Sequence, residues 1–325
     1  MSCSKSHSKC VGRLTAVDGI GVVRRIIMTN ATPIVGFIGL GNIGGPMAVN
    51  VAAGGFPMIA FDAAGTAARL PVGAAAAASA AQVATEAAII FLSLPNAQAV
   101  ASVVDSITGA GSRTLKTVID LSTIGVHAAR RAQELLGAIS VDYLDSPVSG
   151  GADGARNRKL AVMCAGSRQA FDDAQPPLRA LSERVYFVGT RAGQGQALKL
   201  INNFLSATAL AATSEAVIFG LRNGLQMEIM LDVLNASSGR NTATVDKFPN
   251  HVATSKFASG FQNTLMTKDV DLYLKEAGLE RCAGPMASLV ADIWQRFSRD
   301  MPASDFTKIY QFVKKEIENG VAGRE

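Results

Sequence analysis

The chain is short of the residues that build metal centres and disulfide frameworks. Its 325 residues hold four cysteines and three histidines. Cys3, Cys10, Cys164 and Cys282 show no C-x-x-C spacing, which excludes a zinc ribbon and a disulfide scaffold. Cys3, His7 and Cys10 lie close in sequence, but in an N-terminal stretch without apolar periodicity, so no metal ion is expected. His127 and His251 have no acidic partner at a motif spacing and read as structural. Charged residues are scarce at 18%, against 48% hydrophobic, which supplies a core and excludes disorder. No uninterrupted apolar run reaches the ~18 residues of a membrane span, so no membrane partner is expected.

The net charge of +5 is unevenly spread. Residues 1–32 carry Lys5, Lys9, Arg13, Arg24 and Arg25 against Asp18, a net of +4, and leave the remainder near +1. The basic character therefore belongs to the N-terminal stretch and not to a binding face, and no nucleic acid partner is expected. Residues 1–32 read as a flexible extension. Their Ser- and Arg-containing, acid-poor composition resembles a transit peptide, but Met28, just before the first strand, would begin a compact protein, and that reading is preferred. No apolar segment precedes a small-residue cleavage site, so secretion is not expected and the location is read as cytoplasmic.

At roughly 150 residues per domain, the length suggests two domains. Short apolar runs at 33–38, 58–61, 88–94, 117–121, 141–144, 160–164 and 185–188 read as buried strands. Between them lie helical segments, including Pro46 to about Ala53 and the alanine-rich Ala74–Ala81. This alternation predicts an α/β Rossmann domain over 33–193 with a doubly wound, mostly parallel sheet. From Gln196 to about Leu221 nearly every position is apolar or small, which predicts a long linking helix buried on all sides. Segments 226–236, 264–280, 285–298 and 306–318 read as helices, so 194–325 is expected to be an all-α substrate and dimerisation domain. The apolar linking helix predicts a homodimer or homotetramer, because one small domain cannot cover it.

Gly39-Leu40-Gly41-Asn42-Ile43-Gly44 fits G-x-G-x-x-G, follows a strand and opens a helix. Such glycines give a tight turn, close backbone approach to a pyrophosphate and close helix–strand packing. The helix N-terminus then offers free N–H groups to the phosphates. Asp62 ends the second strand, 18 residues after Gly44, where a carboxylate would accept hydrogen bonds from the adenosine ribose. No arginine directly follows it, the next being Arg69, so NAD is expected over NADP. In Asp145-Ser146-Pro147-Val148-Ser149-Gly150-Gly151, two glycines and a hydroxyl at the carboxyl edge of the sheet can form a nest for a small carboxylate. Read alone, the segment is a structural turn. Lys199 and Asn203, four residues apart, share a face of the apolar helix and need polar partners there. Lys268-Asp269 reads as a cap or a surface pair.

These segments resemble the β-hydroxyacid dehydrogenase family, which includes 3-hydroxyisobutyrate dehydrogenase, tartronate semialdehyde reductase and L-threonate dehydrogenase. The matching stretches are GFIGLGNIGGPMA (36–48), DLST (120–123), DSPVSGGADGA (145–155), GQGQALKLINN (193–203) and LMTKD (265–269), in the family's order. The resemblance implies reversible NAD-dependent hydride transfer between a small 3-hydroxy acid and its semialdehyde or 3-keto acid. It implies Lys199 as the catalytic lysine, Asn203 as its substrate-holding partner, and Ser149, Gly150 and Gly151 as the carboxylate site. Gly39, Gly41, Asn42, Ile43, Gly44 and Asp62 would bind the cofactor. Thr123 would lie near the nicotinamide, Leu94 and Pro95 would line the cleft, and Lys268 would close the site. The basic Arg156-Asn157-Arg158-Lys159 departs from the family's small-residue run, and the resemblance leaves the part of Arg240 and Asn241 open. Two alternatives stand beside it. One is an imine reductase of the same fold, which typically lacks the lysine. The other is a non-catalytic dinucleotide-binding reader or scaffold.

Overall fold

Most strand residues are apolar, and a computed structural model assembles them into one nine-stranded sheet whose central strands are buried. It describes residues 32–322. The segment 1–31, with Cys3, His7, Cys10 and Met28, and nearly all of the expected extension 1–32, lies outside the described residues. The strands are β1 Val35–Ile38, β2 Met58–Phe61, β3 Ala75–Ala76, β4 Ile89–Leu92 and β5 Thr117–Asp120. They continue as β6 Asp142–Asp145, β7 Val148–Ser149, β8 Ala161–Ala165 and β9 Arg184–Gly189. The order is β3-β2-β1-β4-β5-β6-β8-β7, with β9 paired to β8. Pairing is parallel from β3 to β6 and between β8 and β9, and antiparallel where β8 meets β6 and β7. β1 and β4 are buried at every residue, as strands covered by helices on both faces must be.

The helices of this half are α1 Gly44–Ala53, α2 Ala80–Glu86, α3 Ala97–Gly109, α4 Val126–Gly137, α5 Gly151–Arg156, α6 Arg168–Asp173 and α7 Gln175–Leu181. The helix expected over Ala74–Ala81 is a correction. Ala75 and Ala76 pair with Ile59 and Ala60 as an edge strand, and α2 starts only at Ala80. Ser79 caps it, its side chain accepting from the Gln82 N–H. Alanine's helix propensity is a weak preference that sheet pairing overrides here. The chain direction reverses outward from β1, toward β2 on one side and β4 on the other, which opens a crevice at its carboxyl end.

The second half holds α8 Gln194–Arg222, α9 Met227–Asn235, α10 Asn263–Leu279, α11 Pro285–Asp300 and α12 Ile309–Ala322. Among the described residues it contains no strand, only one bridge between Gln262 and Asp305. A π-helical segment, Ala243–Val252 with Pro249 inside it, lies where the sequence announced no element. Trp294, Phe297, Phe248, Phe306 and Phe312 form the core here, with the indole N–H of Trp294 donating to the Ala207 carbonyl at 3.3 Å. The 29-residue α8 is long and apolar enough to cross a membrane by length and composition. The structure packs it against α10, α11 and α12, and its first turns against β8 and β9. Within one chain Leu198, Ile201, Leu205 and Phe219 leave an apolar stripe of α8 exposed.

Candidate functional site

The glycine loop fills the crevice after β1, and each glycine meets a different surrounding. Gly39 has φ +97°, and a Cβ there would lie 2.2 Å from the Ser93 carbonyl oxygen and 3.2 Å from Leu94 Cδ2. At Gly44 a Cβ would strike the Gly39 carbonyl oxygen. A Cβ at Gly41 would meet no protein atom within 4 Å. The first and last glycines thus serve the fold, while the middle one faces open space that a phosphate group fits. Asn42 is exposed beside it, and no side chain caps the N-terminus of α1 after Ile43; the Gly45 N–H donates to the Gly41 carbonyl at 2.8 Å and Pro46 has none, which leaves the Gly44 N–H to an anion.

Asp62 closes the far side of the loop. Its Oδ2 accepts from the Leu40 N–H at 2.7 Å and its Oδ1 from the Ala64 N–H at 2.8 Å. Arg69, in the short helix Ala67–Arg69, reaches the same Oδ1 at 3.1 Å. Partial burial works against the charge, but these donors outweigh it and hold the carboxyl below its usual range. The guanidinium that sequence spacing set aside therefore lies against the carboxylate expected to select NAD.

Lys199 is 6% exposed, on the second turn of α8. Its Nζ donates to Asn203 Oδ1 at 3.1 Å, and Asn203 Nδ2 donates to Asp269 Oδ2 at 2.6 Å. Burial lowers the lysine pKa and Lys268 adds to this, while Asp269 opposes it. Asn202 joins this cluster to the carboxylate nest, donating to Asn203 Oδ1 at 2.9 Å and toward Ser149 Oγ at 3.4 Å. Gly150 and Gly151 take φ of +137° and +65°. No protein atom lies within 4 Å of where a Gly151 Cβ would be.

Lys268, on α10, reaches across to the Rossmann half. Its Nζ donates to the Thr123 carbonyl at 3.1 Å and the Pro95 carbonyl at 3.4 Å, and faces Asp269 Oδ1 at 3.2 Å. Beside it a cleft of about 530 Å³ is lined by Asn96, Thr123, Ile124, Thr267, Lys268 and Asp271, among others. Leu94 donates to Ser122 beside Thr123, whose carbonyl Lys268 reaches, and from Lys268 the contacts run through Asp269 to Asn203, which meets both Lys199 and, through Asn202, Ser149.

The reading of Asp269 as part of a cap or surface pair is corrected, and Gln196 was not singled out from sequence. Asp269 is 3% exposed, not a surface acid, and holds Asn203. Its burial with Met266 and Val270 on α10 was the available signal. Gln196 is fully buried, one turn before Lys199. His127, read as structural, finds an acidic partner far from it in sequence. Its Nδ1 lies 2.5 Å from Glu276 Oε2, tying α4 to α10. The Nδ1 of His251 is buried without a hydrogen-bond partner among the described residues. Asn241 Nδ2 donates to Thr213 Oγ1 at 3.3 Å. That contact lies fourteen residues along α8 from Lys199, about 21 Å at 1.5 Å per residue, so Asn241 stays away from the lysine within this chain. Arg240 is exposed.

Residues 34–189 match the model of the NAD binding domain of 6-phosphogluconate dehydrogenase. Residues 193–313 match that of the NAD-binding of NADP-dependent 3-hydroxyisobutyrate dehydrogenase. The 2-(hydroxymethyl)glutarate dehydrogenase of Eubacterium barkeri is 35% identical over 266 residues, 80% of this chain and 88% of that protein. A solved structure of Mycobacterium tuberculosis 3-hydroxyisobutyrate dehydrogenase with L-serine is 31% identical, with a TM-score of 0.80. It covers 87% of this chain and 99% of the solved one. A Streptomyces aurantiacus imine reductase, at 18% identity and a TM-score of 0.57 over 86% of this chain and 99% of its own, shares the fold alone.

Proposed function

The chain belongs to the β-hydroxyacid dehydrogenase family, and from that premise we propose that it interconverts a small 3-hydroxy acid and its semialdehyde or 3-keto acid, using NAD in preference to NADP. The observation that carries this reading is Lys199, buried and fixed through Asn203 to Asp269, with the neighbouring Asn202 reaching from Asn203 to Ser149 of the expected carboxylate nest. When bound, a nicotinamide cofactor would supply the hydride acceptor for oxidation of the hydroxyl carbon and the hydride donor for reduction. Gly39, Gly41, Asn42, Ile43 and Gly44 would hold its pyrophosphate and Asp62 its adenosine ribose, while Leu94, Pro95, Thr123 and Lys268 would frame the nicotinamide end. Ser149, Gly150 and Gly151 grip the substrate carboxylate and so fix which carbon faces the cofactor.

Lys199 moves the proton. On oxidation, neutral Nζ takes the hydroxyl proton as the C–H electron pair leaves and the C=O forms. On reduction the ammonium returns that proton and stabilises the developing alkoxide. Burial suits the lysine to this, because an ordinary ammonium is a weak source of neutral amine near neutrality. Asn203 keeps Nζ aimed. The reading assigns no step to a metal ion.

The exposed stripe Leu198, Ile201, Leu205 and Phe219 supports a homodimer or homotetramer closed along α8. Cytoplasmic location, with neither nucleic acid nor membrane as partner, completes the proposal. The near-neutral balance of residues 33–325, which hold only about +1 of the net +5, supports the absence of a nucleic acid partner. The test is absorbance at the NADH band with a panel of 3-hydroxy acids and semialdehydes. Turnover of at least one member is expected. NADH binding without turnover of any would favour a non-catalytic reader, and turnover of cyclic imines alone an imine reductase.

A further inference from the structure

We propose that Gln196 is a positioning residue that fixes the lysine-bearing helix against the loop carrying Thr123, so that turnover depends on it while cofactor affinity does not. This rests on the reading of Lys199 as the proton carrier.

The carboxamide of Gln196 is fully buried and uses every hydrogen-bonding position it has. Its Oε1 accepts from the Ile124 N–H at 2.8 Å and the Gly125 N–H at 3.1 Å. Its Nε2 donates to the Ser122 carbonyl at 2.9 Å and to Asp145 Oδ1 at 2.8 Å. The partners Ser122 and Ile124 bracket Thr123 on both sides. Ser122 in turn accepts at Oγ from the Leu94 N–H at 2.9 Å, which carries the connection to the cleft wall. The other oxygen of Asp145 accepts from the Gly193 N–H at 2.9 Å and the Gln196 N–H at 3.0 Å, pinning the first turn of α8. One side chain therefore joins the start of α8, the end of β6 ahead of the Ser149 nest, and the turn after β5.

Lys199 follows three residues later on the same face, so any slide of α8 at Gln196 is a slide of Nζ. The contact is also tight, since a Cβ on Gly195 would lie 2.4 Å from the Met163 carbonyl oxygen. An apolar residue would fill this space equally well. A saturated buried amide instead admits one register, the best-attested use of a buried polar group. Misplacing a reacting group by 1 Å can cost about 100-fold in rate, whereas the pyrophosphate loop after β1 touches none of these bonds.

The test compares kcat, KM and the NADH dissociation constant for three variants. Gln196→Met should lower kcat about 10–100-fold and leave NADH affinity within about twofold. Gln196→Glu keeps the acceptor for Ile124 and Gly125 but sets a second carboxylate against Asp145. Burial pushes Asp145 up to about 6, with Asp120, Tyr143 and Cys164 as the other titratable groups around it. The two carboxylates can then share a proton, so the kcat of Gln196→Glu relative to the parent should be higher at pH 6 than at pH 8. Asp145→Asn in the same chain should restore part of the kcat at pH 8 by returning an N–H donor. A kcat within twofold of the parent in both single variants overturns the proposal, as does a loss matched in NADH affinity or the absence of rescue. Failure of both single variants to fold assigns Gln196 to stability alone and also overturns it. A parent inactive toward every hydroxy acid overturns the reading of Lys199 first, which separates the two failures.

Discussion

At the scale of single residues, burial and hydrogen-bond geometry decide more than identity does. Lys199 was legible as a lysine that needed a partner, but the partner sits on another element, and only the fold brings Asp269 to it through Asn203. Lys199→Met keeps the length and removes the ammonium, and should cost about 10²–10⁴ in kcat, the usual worth of a positioned acid or base. NADH affinity, measured by fluorescence, should hardly change. The sign of the pH dependence follows from the direction of the shift. Oxidation needs the neutral amine, so its rate should rise with pH through an inflection below 10.5, and that inflection should vanish in Lys199→Met. The unfolded chain binds this proton more tightly than the folded one, so this group's contribution to stability grows as pH rises between the two pKa values. An unchanged kcat in the variant would remove Lys199 from the mechanism. Asp62 and Arg69 make a second pair that linear spacing concealed, seven residues apart yet 3.1 Å in space. Asp62→Ala should weaken NADH by about 1.5–3 kcal/mol, the worth of hydrogen bonds to a charged acceptor. It also frees the Arg69 guanidinium for a 2′-phosphate, so NADPH should bind more tightly than it does to the parent. A parent that already prefers NADPH would contradict the assignment of Asp62.

At the scale of elements, legibility tracked how local the cause was. Seven strands were readable because apolar runs of about four to seven residues are the signature of a covered parallel sheet. The glycine loop was readable because its turn demands particular residues at fixed spacing. The alanine segment was misread because alanine suits a helix anywhere, while pairing of Ala75 with Ile59 depends on β2. The π-helical segment Ala243–Val252 gave no periodic signal, Pro249 arguing against any helix at all. The buried carboxylates at the ends of β5 and β6 were likewise invisible as a pair. Asp120 accepts from the Tyr143 hydroxyl at 2.9 Å, and burial pushes its carboxyl up to about 6. A carboxyl raised in the fold is stabilising below about 4, and that contribution is lost as pH rises through 6. Asp120→Asn should therefore raise the melting temperature relative to the parent more at pH 8 than at pH 4, since the Tyr143 hydroxyl can accept from the new amide. A larger gain at pH 4 would reverse the argument. On α8, Leu205 is 60% exposed within the apolar stripe. Leu205→Glu should shift light scattering toward a smaller species, and a parent that is already monomeric at micromolar concentration would refute the proposed interface.

At the scale of the whole molecule, the two halves communicate across a short list of contacts. Lys268 reaches the carbonyls after β4 and β5, His127 meets Glu276, and Gln196 locks α8 to the sheet. A dinucleotide held by the glycine loop at one end and by Lys268 at the other engages both halves, so its binding should stabilise them together. At a ligand concentration of 100 times the dissociation constant, linkage supplies about 2.7 kcal/mol. At roughly 2–4 °C per kcal/mol for a chain somewhat smaller than this one, the melting temperature should rise by roughly 5–10 °C with NADH. Calorimetry should show one transition moving as a unit. Lys268→Ala should shrink the rise, because the cofactor then loses its contact with α10 while the glycine loop is untouched. Two transitions, of which NADH moves only the first, would mean that the cofactor is held by the Rossmann half alone and that α10 does not close over it.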